Sequence, residues 1–411
     1  MEFLIPSRTA RPADDPIFAL NAEASARRAK GEAIINATVG ALLDDDGKLA
    51  ILPTVIDALR EVPPLQAAGY APLAGPSAFN EAVVADVLGG TPLAEHAFAV
   101  ATPGGTGALK LAVTDFLDGG QALLTSSFYW GPYKTIADEN DRGVATYSMF
   151  GEGGELDVAA LEVSLEKQLQ SQKRALVFLN DPCHNPTGYS MRAAQWRAVV
   201  ETLVRASDKG PVTLLIDIAY YLYGSGDPRA FLAHLGPLVG RVGLCFAWSG
   251  SKSFAQYGAR VGALIYVDPD EKRRQRTRDA LAYSCRGTWS NCNHSAMLAV
   301  TRLLGDAALR AKVDGERAGL KKLLDGRVHA FNAAAEGTSL RFPRYDGGFF
   351  STVFTRFGEE GKDSGKIAAA MREHGVYVVP QGTSGLRVAL CSVAERDVPR
   401  LVSVMDAAIR A

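Results

Sequence analysis

Val242-Gly243-Leu244-Cys245-Phe246-Ala247-Trp248-Ser249-Gly250-Ser251-Lys252 is an apolar run of strand length that ends in a small polar turn and a lysine. Similar runs recur at Ala97–Ala101, Ala122–Thr125, Ala175–Leu179, Val212–Ile216 and Ala263–Val267. Most lack polar alternation, as expected of strands covered on both faces of a parallel sheet. Helical patterns lie between them at Ser77–Leu88, Thr106–Phe116, Asp157–Ser171 and Met191–Ala206. The alternation predicts an α/β domain with a mostly parallel central sheet. Helical patterns then dominate to about Ala335. Strand-like Phe349–Phe354, Tyr377–Val379 and Leu386–Leu390 and a helix from Ala394 complete a smaller α+β body. The large domain is expected over residues 49–312, and the small one over 1–48 and 313–411. Pro63 to Pro76 reads as a shaped loop.

The 411 residues are 47% hydrophobic and 22% charged, with 44 basic against 45 acidic side chains. A net charge of −1 offers no long-range attraction to nucleic acid or an anionic membrane. No window approaches the roughly 18 consecutive apolar residues of a membrane span. Met1-Glu2-Phe3-Leu4-Ile5-Pro6 has no secretory pattern. Cys183, Cys245, Cys285, Cys292 and Cys391 form no Cys-x-x-Cys pair, so neither a disulfide framework nor a metal site is expected. A reduced cytoplasmic enzyme is the default expectation.

Ligands of open α/β sheets bind beyond the carboxyl ends of strands, where Lys252 is expected. A lysine there can form a Schiff base if its charge is discouraged, or can be an ordinary surface ammonium. Ser249-Gly250-Ser251-Lys252 also fits the Ser-x-x-Lys of β-lactamases, but the partner motifs Ser-Asp-Asn and Lys-Thr-Gly do not occur. Thr102-Pro103-Gly104-Gly105-Thr106-Gly107 joins a strand to a helix and reads as a phosphate cradle or a tight capping turn. It is not the dinucleotide fingerprint, because Lys110 stands where a third small residue belongs. Asp181-Pro182-Cys183-His184-Asn185-Pro186-Thr187-Gly188 follows another strand, and its end alone could be a β-turn. Asp217 ends an apolar strand, where a carboxylate needs a partner. Arg260, in Tyr257-Gly258-Ala259-Arg260, opens the next strand, as a functional cation or one half of a surface salt bridge.

In joint order these motifs resemble the fold-type I, pyridoxal-phosphate-dependent aminotransferases of class I/II, in their aspartate/aromatic branch. The resemblance runs from Asp15-Pro16-Ile17-Phe18-Ala19-Leu20 and Asn36-Ala37-Thr38-Val39-Gly40 through Gly69-Tyr70 to Gly385-Leu386-Arg387-Val388. It implies pyridoxal 5'-phosphate held as an imine on Lys252, which then serves as acid and base toward the substrate Cα. It implies Asp217 on the pyridine nitrogen, Asn185 and Tyr220 on the phenolic oxygen, and Trp130 on the ring face. The phosphate falls to Gly105, Thr106, Ser249, Ser251 and Arg260, with Tyr70 reaching in from the partner of a homodimer. Arg387 would grip the substrate α-carboxylate with help from Gly40 and Asn185. Arg286 would read a distal carboxylate across the dimer interface, or else is a surface arginine at a helix end.

Departures from the family pattern cluster near the substrate side. Tyr133 stands where a histidine is common, Cys292-Asn293-His294 replaces a proline-rich stretch, and Tyr220-Tyr221-Leu222-Tyr223 is rich in tyrosine. The expected function is transfer of the α-amino group of an acidic or aromatic amino acid to a 2-oxo acid such as 2-oxoglutarate, by a ping-pong route. A lyase catalysing carbon–sulfur cleavage or β/γ-elimination on the same scaffold is the alternative. A non-catalytic cofactor-binding regulator is another, although such regulators usually carry an added DNA-binding domain, for which the residues ahead of Asp15 are too few.

Overall fold

A computed structural model describes residues 3–9, 11, 16–357 and 360–411. Asp15, where the resemblance begins, lies outside them. The chain divides into two compact units, one of residues 50–325 and 343–349, the other of residues 1–49, 326–342 and 350–411. The first limit falls at 49/50. The second falls at 325/326, within the helix Ala307–Ala335, which also runs through 312/313.

The larger unit is built on a seven-stranded sheet. Its strands are β1 (Ala97–Pro103), β2 (Ala122–Ser126), β3 (Gly143–Tyr147), β4 (Ala175–Asn180), β5 (Val212–Asp217), β6 (Gly243–Ser249) and β7 (Val261–Val267). Their order across the sheet is β1-β7-β6-β5-β4-β2-β3, and only β7 runs against its neighbours. The apolar runs are continuous because alternate residues enter different cores. Ala175, Val177, Leu214, Ile216, Leu244 and Phe246 pack on one face, and Leu176, Phe178, Leu215, Cys245 and Ala247 on the other. The segment expected as a loop, Pro63 to Pro76, contains a short helix at Pro64–Ala68.

Strand register brings the polar strand ends into line. Asn180 pairs with Asp217 and Asp217 with Ala247, while Ser249 and Thr102 both pair with Gly262. Because β7 is antiparallel, the residue before it, Arg260, returns to the edge at which β1, β4, β5 and β6 end.

The smaller unit holds the helices Pro16–Ala29, Ser364–Glu373 and Val398–Arg410 and an antiparallel sheet ordered Val379–Gln381, Gly385–Val388, Ser351–Phe354. Its fully buried Arg327 donates to the Cys391 carbonyl at 2.7 Å and the Leu43 carbonyl at 2.8 Å, and pairs with Asp45 at 2.8 Å. Among the described residues no helix is long and apolar enough to cross a membrane.

Candidate active site

Ser249 ends β6 and caps the four-residue helix Gly250–Ser253, its hydroxyl accepting from the Ser251 amide at 3.3 Å. That turn carries Lys252. Three aromatic rings surround its ammonium, with Nζ 4.4 Å from the ring centre of Tyr257 and 5.5 Å from those of Tyr220 and Phe349. Aromatic faces attract a cation, while their bulk removes water that would otherwise favour the charge.

On the next strand Asp217 is buried, and each carboxylate oxygen has a donor. Tyr133 Oη donates to Oδ2 at 2.8 Å and the Ala219 amide to Oδ1 at 3.1 Å. Burial pushes the carboxyl up to about 6, and those two hydrogen bonds restrain the rise. The same burial, with Asp217 alongside, drives the Tyr133 phenol well above its ordinary value, so it stays a donor. Neither neighbour is a cation. The pair is therefore suited to receive a positively charged nitrogen.

Asn185 is held over this strand end by Asn180, the last residue of β4. The Asn180 amide donates to the Asp217 carbonyl at 2.7 Å and its oxygen accepts from the Asn185 backbone at 2.6 Å. Asn185 Nδ2 lies 3.4 Å from Tyr220 Oη, and Asn185 Oδ1 is buried with no hydrogen-bond partner among the described residues. Elsewhere in the same loop, Asp181 accepts from the Met191 amide at 2.7 Å and Trp196 Nε1 at 3.1 Å. His184 meets the Thr187 hydroxyl at 2.8 Å, and burial lowers it to about 3, so it is neutral. Both shape the loop.

An anion cradle completes the edge. Gly104 opens the helix Gly104–Phe116 with φ at +71°, and a Cβ there would sit 2.5 Å from Arg260 Nη2. Free amides at the start of that helix, including those of Gly105 and Thr106, face the same end as the Ser249 and Ser251 hydroxyls. Arg260 Nη1 donates to Ser251 Oγ at 3.1 Å. Half-buried Trp130 packs edge-on against Tyr133 at 6.0 Å.

The larger unit thus gathers Gly105, Thr106, Trp130, Asn185, Asp217, Tyr220, Ser249, Ser251, Lys252 and Arg260 around one sheet edge. Tyr70 is 93% exposed, and Arg286 is exposed at the end of the helix Glu271–Thr288, donating to Ser290 Oγ at 2.7 Å. Gly40 and Arg387 belong to the smaller unit and share a cluster there. Buried Arg387 donates to the Thr38 carbonyl and lies 4.8 Å over the Phe350 ring, against which a Cβ at Gly40 would fall at 2.6 Å.

The sequence reading missed Asn180 and Phe349. Asn180 carried a usable signal, a polar residue ending an apolar strand beside a motif. Phe349 is distant in sequence and carried none.

The family profile described as aminotransferase class I and II matches residues 32–405. An aromatic-amino-acid aminotransferase of Pseudomonas aeruginosa is 32% identical over 306 residues, 72% of each chain. The crystal structure of an aminotransferase from Anaerococcus prevotii superposes with a TM-score of 0.90, at 29% identity and 99% coverage of both chains. An aromatic-amino-acid aminotransferase from Burkholderia pseudomallei, covalently bound to pyridoxal phosphate, shares the fold with a TM-score of 0.77, at 24% identity over 99% of this chain and 100% of its own.

Proposed function

The chain belongs to the class I and II aminotransferases, and from that membership we propose that it transfers the α-amino group of an acidic or aromatic amino acid to a 2-oxo acid, with pyridoxal 5'-phosphate joined to Lys252. The observation that carries this is the convergence at one sheet edge of an amine among aromatic rings, a buried carboxylate lacking a cation and a cradle ending in Arg260. The orphaned Asn185 Oδ1 and the crowded, left-handed Gly104 fit a polar ring with an anionic tail.

When bound, pyridoxal phosphate supplies a carbonyl that condenses with amines and a ring that withdraws electrons from the substrate Cα. Asp217 would hold a proton on the ring nitrogen, because a carboxylate there stabilises the charged form. Asn185 and Tyr220 would serve the phenolic oxygen, Trp130 the ring face, and Gly105, Thr106, Ser249, Ser251 and Arg260 the phosphate. Lys252 Nζ, freed when the incoming amino group takes its place, would hold and pass on the substrate Cα proton. By the resemblance, Arg387, Gly40 and Asn185 would serve the substrate α-carboxylate, the arginine through its planar fork. In a homodimer, Tyr70 reaches the partner's phosphate and Arg286 reads a distal carboxylate in the partner's site. Five buried thiols suit a reducing cytoplasm.

The test is a single half-reaction. Amino acids are added one at a time to cofactor-loaded enzyme without any 2-oxo acid, and the released product is quantified. Stoichiometric 2-oxo acid from acidic or aromatic substrates, abolished in Lys252→Ala, is the expected result. Ammonia and pyruvate released catalytically from cysteine derivatives, with no acceptor, would show a lyase instead.

A further inference from the structure

The turn that carries Lys252 is a single short one. The Phe254 amide donates to the Gly250 carbonyl at 3.0 Å and the Ala255 amide to the Lys252 carbonyl at 3.2 Å, and the chain leaves it through Ala255 at a φ of +49°. Its two last carbonyls are tied from outside. Tyr223 Oη donates to the Lys252 carbonyl at 3.1 Å, and Arg317 Nε donates to the Ser253 carbonyl at 2.8 Å.

Both ties trace back to the tyrosine-rich segment 220–223. The Tyr223 ring is braced by Phe349 at 4.9 Å, and Phe349 also packs on Tyr220 at 5.2 Å. Tyr221 Oη donates to Asp86 Oδ2 at 3.0 Å, and the other Asp86 oxygen pairs with Arg310 at 2.6 Å. Arg310 shares Asp314 with Arg317, at 3.0 and 2.6 Å. The two ends of this chain of charges are shielded from water, the Asp86 side chain being 4% exposed and that of Arg317 9%, while the linking Arg310 and Asp314 are 32% and 45% exposed.

We propose that Tyr223 and Arg317 are positioning residues that clamp the Lys252 peptide from two sides and so fix where its Nζ points. Neither side chain is assigned to cofactor or substrate. They act through the lysine, and the proposal rests on Lys252 being the amine that joins the cofactor.

The experiment compares wild type with Tyr223→Phe, Arg317→Met and Arg317→Lys. Each is stripped of cofactor and mixed with pyridoxal phosphate, and the growth of the lysine-bound absorption band is timed. Kinetic constants and melting temperatures are then measured on the loaded enzymes. Losing one tie, worth about one hydrogen bond, should slow capture and lower kcat by roughly fivefold while KM for the amino acid holds. Arg317→Lys should recover part of the loss suffered by Arg317→Met. Tyr223→Phe keeps the ring and its packing, so its melting temperature should stay close to wild type and the test survives if Arg317→Met fails to fold. Wild-type capture and kcat in Tyr223→Phe, or losses that merely follow melting temperature, would overturn the clamp. Wild-type enzyme that forms no adduct at Lys252 would contradict the cofactor assignment itself.

Discussion

Burial pushes the Asp217 carboxyl up to about 6, and the Tyr133 and Ala219 donors are what keep it from rising further. Below that pH the group is neutral and cannot hold a protonated ring nitrogen; above it the carboxylate can. Cofactor affinity is therefore expected to fall as pH drops through about 6. Tyr133→Phe removes a donor to the charged form, so the midpoint should move to higher pH, while Asp217→Asn should flatten the profile; equilibrium titrations across pH 5–8 read both. Arg286 offers a second test. Arg286→Ala should reduce kcat/KM for dicarboxylic substrates by at least about tenfold and leave aromatic ones within twofold, since only the former would leave a carboxylate unpaired. Equal losses would remove Arg286 from substrate recognition. Lys252, Asp217 and Arg260 drew notice because each stands at an abrupt change from apolar strand to polar loop, and it was their joint order, through the resemblance, that suggested roles for them. Phe349 was not, since only folding brings it beside Tyr220 and Lys252.

The strands were legible where both faces are covered, because burial leaves an unbroken apolar run. Gly143–Tyr147 escaped notice because it lies at the edge of the sheet, is mostly half-exposed and carries mixed residues. The direction of β7 was equally hidden. Val261–Val267 is buried throughout, and a buried strand reads alike in either orientation. That antiparallel strand matters to the chemistry because it returns Arg260 to the edge holding Gly104. A Cβ on Gly262 would lie 2.4 Å from the Gly104 carbonyl carbon, so Gly262→Ala must push β7 and the glycine turn apart. The expected cost is about 1–3 kcal/mol of stability together with weaker cofactor binding, measured by thermal melts and titration. Wild-type affinity in this variant would argue against the cradle.

For the whole molecule, the division into an α/β unit and a smaller α+β unit was visible in the change of pattern after residue 270. The limit inside the helix Ala307–Ala335 was not, because a continuous helical period marks no boundary. Tyr70 and Arg286 are exposed. A homodimer makes a distinctive prediction. Lys252→Ala and Arg286→Ala chains, each poorly active on dicarboxylic substrates, should regain about a quarter of wild-type activity when mixed and allowed to exchange, because half of the mixed dimers' sites are intact. No recovery would place Arg286 in its own subunit's chemistry. The central claim, one amine on this chain carrying the cofactor, is tested most directly by borohydride reduction of the loaded protein followed by peptide mass mapping. The account predicts a single phosphopyridoxyl mass increment on the peptide containing Lys252; an unmodified Lys252, or the increment on another lysine, would contradict it.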